Sequence, residues 1–250
     1  ISYAHIKNFN NLNQIAKAKS EIINNIISNG TMIINMDEKY YNYFMKISKN
    51  NNLQIVKFSK VSKKADIVFH SQRKYKKNLK INIKIKGIMK SFLVPKNLSS
   101  YIDNILATVS ILSVYFDIKK LNQNLFSDFY IPKSRGSLIN LKKGKKKLTI
   151  IDESYNSNPL SLKFALERYD DLYKKNDKKF LLIGDMLELG KYSKKLHIKI
   201  AKYINKSKIN KIYVFGKQIK HTFNKLKPQI RGRILKNKID IYNLINNDLP

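Results

Sequence analysis

The sequence predicts an α/β chain in two parts, the second a parallel, doubly wound sheet. Three observations carry this. Strand-length apolar runs alternate with helix-period segments along most of the 250 residues. In the second half, LTIID (148–152), FLLIGD (180–185) and KIYVFG (211–216) are each followed by a helical segment, a rhythm that implies right-handed crossovers. Between the halves lies IPKSRGSLINLKKGKKK (131–147), rich in Pro, Gly and lysine, and this stretch places the division at 136/137, giving domains 1–136 and 137–250.

The elements follow in order. From Leu12 to Ser28 the apolar residues Ile15, Ala16, Ile22, Ile23, Ile26 and Ile27 recur at helical spacing, and Gly30 stops the helix. TMIINMD (31–37) is a short buried strand ending in an acid, and KYYNYFMKIS (39–48) a helix. LQIVKFS and ADIVFHS are strands. LKINIKIKG alternates as a half-exposed strand should, and forms a hairpin with MKSFLVP across Gly87. Ser99 to Phe116 is an apolar-faced helix, LNQNLFSDF (121–129) a shorter one, and KKGKKK (142–147) a loop.

Composition bounds the function. The formal net charge is +33 with a pI near 10.1, which suggests a polyanion partner, yet of 50 Lys+Arg only five are Arg. Surfaces that read nucleic acid lean on the planar fork of arginine, and here the lysines are spread along the chain beside abundant Asn and Ile. Most of the charge therefore reads as solvated faces, and no nucleic-acid partner is expected. Cysteine is absent, which excludes a thiolate nucleophile and a disulfide framework. No apolar run approaches the roughly 20 residues that span a bilayer, so a soluble, cytoplasmic protein is expected.

The stretch IIDESYNSNPLSLKFALE (150–167) is a strand, a turn and a helix. Asn158 before Pro159 is a good helix start, since the Asn side chain accepts from free N–H groups and proline suits the first helical position. Capping leaves Asp152, Glu153, Tyr155 and Asn156 unexplained. They gather beyond the carboxyl end of a strand, where open α/β sheets bind ligands. Asp185 and Gly216 end the next two strands on what should be the same edge.

The segment YAHIKNFNNLNQIAKAKSEI (3–22) resembles a block of the Mur ligase family, with closest likeness to the branch that adds D-alanyl-D-alanine to UDP-N-acetylmuramoyl-tripeptide. YIDNILATVSILSVYF (101–116), FYIPKSRGSLI (129–139), the IDESYNSNPLSLKFALE turn and LLIGDMLELGKYSKKLHIKIA (181–201) are similar to further blocks of that family in the same order, and VFGKQIKH (214–221) to the next. The resemblance implies the C-terminal half of a Mur-ligase central ATPase domain followed by a Rossmann-like doubly wound C-terminal domain. It implies an ATP- and Mg²⁺-dependent amide ligase working through an acyl phosphate, acting as a monomer.

By that resemblance His5 and a carbamylated Lys19 hold the magnesium ion and serve catalysis. The chemistry requires the carbamate, because an ammonium offers only donors and hard Mg²⁺ takes oxygen ligands. Asn104 lies near adenine, Arg135 reaches phosphate, Asp152 faces the ribose and Asn156 lines the nucleotide site. Asn158, Asp185, Met186 and Glu188 border the incoming amine. Each also has a plain structural reading: a terminal histidine on the surface, one more lysine, a helix cap, a linker arginine, turn residues. The chain departs from the family at ISYAH, where IGPAH is usual, and at LSSYIDN, which lacks a Gly and a His. A G-x-x-G-K-[ST] phosphate loop does not occur in it. The expectation is a fragment that does not turn over alone. Competing readings are another amide ligase of the superfamily, such as a folylpolyglutamate synthase, a basic nucleic-acid-binding α/β protein, or a decayed relative that binds a partner.

Overall fold

The computed structural model describes residues 1–4, 6–143, 146–172 and 177–248. The chain forms two units: Ile1 with Asn13–Tyr130, and Ser2–Leu12 with Ile131–Pro250. Among the described residues no helix is long and apolar enough to cross a membrane.

The first unit is a sheet in the order β1-β2-β3-β4-β5, formed by Thr31–Asn35, Gln54–Ser59, Ile67–Tyr75, Asn78–Ile85 and Ile88–Pro95. β1, β2 and β3 run parallel, and β4 and β5 return antiparallel. The expected hairpin is there. Lys86 (φ 46°) and Gly87 (φ 90°) both adopt left-handed backbone, the requirement of a two-residue turn that matches strand twist, and Ile85 pairs with Ile88 across it. Period-two alternation puts Leu79, Ile81, Ile83 and Ile85 in the core. On the other face Asn82 donates to Ser71 Oγ (2.9 Å) and accepts from Ser91 Oγ (2.7 Å), spanning the ladder beside the irregularity between Phe69 and Ser71.

Helix α1 (Leu12–Ser20) is tied to α2 (Tyr41–Asn50) by Ser20 Oγ and Tyr43 Oη at 3.2 Å, and α2 and α3 (Ile102–Tyr115) pack on this sheet, the latter on β1 to β4 through Ile105, Leu106 and Val109. Two sequence expectations need correction. The first helix does not run to Ser28: α1 stops at Ser20 and a tighter 3-10 stretch covers Glu21–Asn25, after which Ile26 is extended. The β-branched pair Ile22–Ile23 and the two asparagines weaken the helix, and Gly30 N–H closes on Ile27 O at 2.8 Å. The segment 121–129 is not a helix either. Asn122 Oδ1 accepts from Asn124 N–H (2.8 Å), an Asx turn that diverts the backbone, while Gln123 O accepts from Leu93 N–H (2.7 Å) and Phe126 packs edge-on against Phe92.

The second unit holds a parallel sheet in the order β10-β9-β8: β8 Phe180–Gly184, β9 Lys211–Phe215, β10 Arg231–Leu235. LTIID does not join that sheet. It lies in β7 (Lys146–Asp152), which pairs antiparallel with β6 (Ser137–Lys143) from Ser137↔Asp152 to Lys143↔Lys146. The run read as a basic loop thus supplies strand ends; Gly144 and Lys145 lie outside the described residues. Short spacing explains the pairing, since two strands joined by two residues can only meet as a hairpin. Helices α4 (Pro159–Leu172), α5 (Ser193–Ile204), α6 (Lys220–Phe223) and α7 (Lys238–Asn243) complete the unit, with Ile183, Ile200, Ile204, Ile212, Val214 and Ile219 in its core.

Leu106 is fully buried in α3. Leu106→Ala should lower the unfolding free energy of the first unit by about 2–5 kcal/mol through lost transfer energy and a residual cavity, whereas Lys84→Ala on the exposed side of β4 should stay within about 0.5 kcal/mol. Urea denaturation checks both.

Candidate active site

The residues singled out in the second unit fall into two constructions. The first interlocks 134–136 with 152–155. Ser134 Oγ donates to Asp152 Oδ2 (3.0 Å), Ser154 N–H to Asp152 Oδ1 (3.0 Å), Gly136 N–H to Asp152 O (2.7 Å), and Tyr155 N–H to Ser134 O (3.0 Å). Ser134 (φ 61°) and Gly136 (φ 99°) bend the backbone into left-handed conformations to make these bonds. Arg135, between them, stacks its guanidinium 4.1 Å over the ring of Tyr155, and both side chains are exposed. Ser154, through its hydroxyl and its amide, holds the Asp152 carboxyl below its ordinary value, with Ser134 adding to the effect against a small opposing contribution from burial. The result is a fixed anion beside a fixed planar cation.

Arg168 of α4 lies beneath. It is 7% exposed, pairs with Glu153, and its guanidinium occupies the space where a Cβ on residue 136 would stand, so only glycine fits there. Burial chiefly raises the Glu153 carboxyl, opposed by Arg168 and reinforced by Asp152. Asn158 caps α4 as expected. Its Oδ1 accepts from Leu160 N–H (3.0 Å) and Ser161 N–H (3.1 Å), and Ser161 Oγ returns to accept from Asn158 N–H (3.0 Å). Asn156 is exposed in the preceding turn.

The second construction is the turn after β8. Asp185 accepts from Lys217 N–H (3.0 Å) and Ile219 N–H (2.7 Å), tying the end of β8 to the loop after β9. Gly216 (φ 137°) is obligatory, because a Cβ there would strike the Asp185 carboxylate. Met186 is 2% exposed, a core residue rather than a surface contact. Its N–H donates to His197 Nε2 (3.0 Å), and His197 Nδ1 lies 2.8 Å from Ser193 O, which makes the neutral Nδ1–H tautomer the one that satisfies both nitrogens. Leu187 and Glu188 face outward. The role of His197 in this turn is not evident from the segment 181–201 as a sequence; the signal there is a His one helical turn from Ser193.

In the first unit, Asn104 lies exposed in the first turn of α3, its carbonyl accepting from Thr108 Oγ1 (2.9 Å). Beside it Asp103 pairs with Lys60 Nζ (2.7 Å), and Asp37 accepts from Ser59 Oγ (2.5 Å) and Lys60 N–H (2.6 Å). This places Asn104 at the carboxyl ends of β1 and β2, with an acid–serine–lysine–acid chain that only the strand-ending Asp37 had announced. Lys19 is exposed in the last turn of α1. His5 lies outside the described residues, and among those described no three His, Asp or Glu side chains gather as a cation site.

Burial lowers the pKa of His197 below the ordinary 6.5, more than its bond to Ser193 raises it. In the unfolded chain the ring gains a proton near pH 6.5 while the native ring stays neutral, so stability is full above that pH and falls below it. Unfolding free energies at pH 7.5 and 5.5 should differ, and His197→Gln should reduce that difference.

Sequence comparison bears on both units. The model of the Mur ligase middle domain matches residues 1–112, and that of the Mur ligase, glutamate ligase domain matches residues 139–243. The chain is similar to the UDP-N-acetylmuramoyl-tripeptide–D-alanyl-D-alanine ligase of Rickettsia prowazekii (strain Madrid E), 31% identical over 241 residues, covering 95% of this chain and 51% of that protein. Among solved structures, MurF from Acinetobacter baumannii shares the fold with TM-score 0.80 at 19% identity, over 97% of this chain and 50% of that one. MurF ligase from Thermotoga maritima in complex with ADP does so with TM-score 0.79 at 17% identity, over 100% of this chain and 54% of that one. The chain spans about half the length of the curated relatives it matches. With both of its halves matched and the order of the domains kept, the chain belongs to the Mur ligase family.

Proposed function

We propose that this chain works in the ATP-dependent joining of D-alanyl-D-alanine to UDP-N-acetylmuramoyl-tripeptide, a step of cell-wall precursor synthesis in the cytoplasm, and acts as a monomer. The observation that carries the reading is the fixed pair of Arg135 and Asp152, presented by one interlocked turn. In the reaction the tripeptide carboxylate attacks the γ-phosphorus of ATP, the bond to the β-phosphate oxygen breaks, and an acyl phosphate and ADP result. The dipeptide amine then attacks the acyl carbon and releases phosphate, losing a proton.

The residues of this chain contribute mainly by positioning and by complementary charge. Arg135 offers a planar fork to phosphate oxygens, and its stack on Tyr155 holds that fork in orientation before ligand arrives. Asp152, kept ionised, accepts from ribose hydroxyls; Asn156 adds a neutral polar contact, and Asn104 serves adenine. Asn158 borders the dipeptide while capping α4. Glu188 offers a carboxylate to its ammonium, whereas Asp185 and Met186 act by building the turn. Mg²⁺ would supply charge neutralisation on the transferred phosphoryl group, and Lys19, as its carbamate, would offer it an oxygen ligand.

A charge-assisted bond to phosphate is worth about 1.5–3 kcal/mol, so Arg135→Ala should weaken ATP binding by roughly 10- to 100-fold. Calorimetric titration checks this, with D-alanyl-D-alanine and glutamate titrated in parallel. Saturable dipeptide binding supports the reading; binding of glutamate in its place would refute it.

A further inference from the structure

The segment Ser2–Leu12 belongs to the second unit, and it lies on the turn after β8. Ile6 is buried to 1% and anchors it. Lys7 N–H donates to Glu188 O at 2.9 Å. Gly190 packs against the same point, where a Cβ would stand 3.0 Å from Lys7 Cα. One step further on, the Tyr192 hydroxyl donates to Asn10 O, and Lys191 Nζ donates to Asn10 Oδ1 at 3.0 Å. Tyr3 meets Tyr192 with ring centroids 6.4 Å apart, and Lys199 Nζ lies 5.9 Å from the Tyr3 ring.

The turn needs such support. Glu188 (φ 58°) and Gly190 (φ 50°) are both left-handed, and a non-glycine residue in that region persists only when its surroundings over-determine it. His197 fixes the turn from inside through Met186 N–H, and the segment 2–12 fixes it from outside. What the turn then presents to solvent is Leu187, 73% exposed, beside the Glu188 side chain. An apolar surface next to a carboxylate suits a small amine with an aliphatic side chain.

We infer that Ser2–Leu12 is a strap that sets the 185–190 turn, with Asn10 and Tyr192 as positioning residues for the amine substrate. The inference rests on the ligase reading above for the identity of that amine. It makes amine affinity depend on side chains that do not touch the amine.

Amide hydrogen exchange of the unliganded chain tests the strap directly. Tyr192→Phe removes one hydroxyl, and about one hydrogen bond lost should speed exchange across 185–190 by roughly tenfold while β9 keeps its protection. Asn10→Ala, which removes the acceptor for Lys191, should act in the same direction. Titration of the same proteins should show the affinity for D-alanyl-D-alanine falling about fivefold, with ATP affinity unchanged. Exchange in 185–190 that is identical in both variants and the parent overturns the strap. Altered exchange with unchanged dipeptide affinity overturns the positioning role. A parent chain that binds no dipeptide refutes the ligase reading, while the exchange result still decides the strap.

Discussion

The second unit depends on one carboxylate. Asp185 ends β8 and accepts from two backbone amides in the loop after β9, Lys217 and Ile219. A carboxylate accepting two N–H bonds gains about 1.5–3 kcal/mol from each, enough to decide the path of a short loop. The neighbours follow from that choice. Gly216 must lack a side chain, Met186 must turn inward, and its amide must find a buried acceptor, which is His197. The residues from Leu187 to Gly190 are then left to project from a fixed base.

The other construction obeys the same rule of a buried polar group completed by its surroundings. Arg168 is taken out of water, and Glu153 answers its charge. Its guanidinium forbids a side chain at 136, and that glycine in turn permits the bend which brings Ser134 to Asp152. Arg135 can therefore stay exposed and oriented, because the backbone on both sides of it is held. The buried layer supplies rigidity, and the exposed layer is left open to solvent.

Much of this was legible in the sequence. The hairpin at Lys86–Gly87 and the Asn158 cap rest on local rules, and local rules act within a few residues. The motifs also located the turns correctly. What escaped was set by partners distant in sequence: β7 reads as a parallel strand until β6 claims it, and 121–129 reads as a helix until the asparagines bond locally and Phe126 meets Phe92. Met186 was expected at the substrate and is buried in the core, and the bonds of Asp185 to the loop after β9 were not legible. No periodicity could assign Ser2–Leu12 to the second unit, since its bonds reach residues some 180 positions away. The charge of +33 had little influence on the fold. Among the described residues Lys179 is the buried lysine, 2% exposed and set between Asp170 and the Tyr169 ring, while most lysine heads stay in water.

The most direct measurement is the unfolding free energy of the second unit in Asp185→Asn, followed by urea denaturation alongside nucleotide and dipeptide titrations. An amide can accept one of the two N–H bonds but turns an NH₂ toward the other, so the loss should be about 2–4 kcal/mol. Unchanged stability with dipeptide binding abolished would contradict the account and return Asp185 to the substrate.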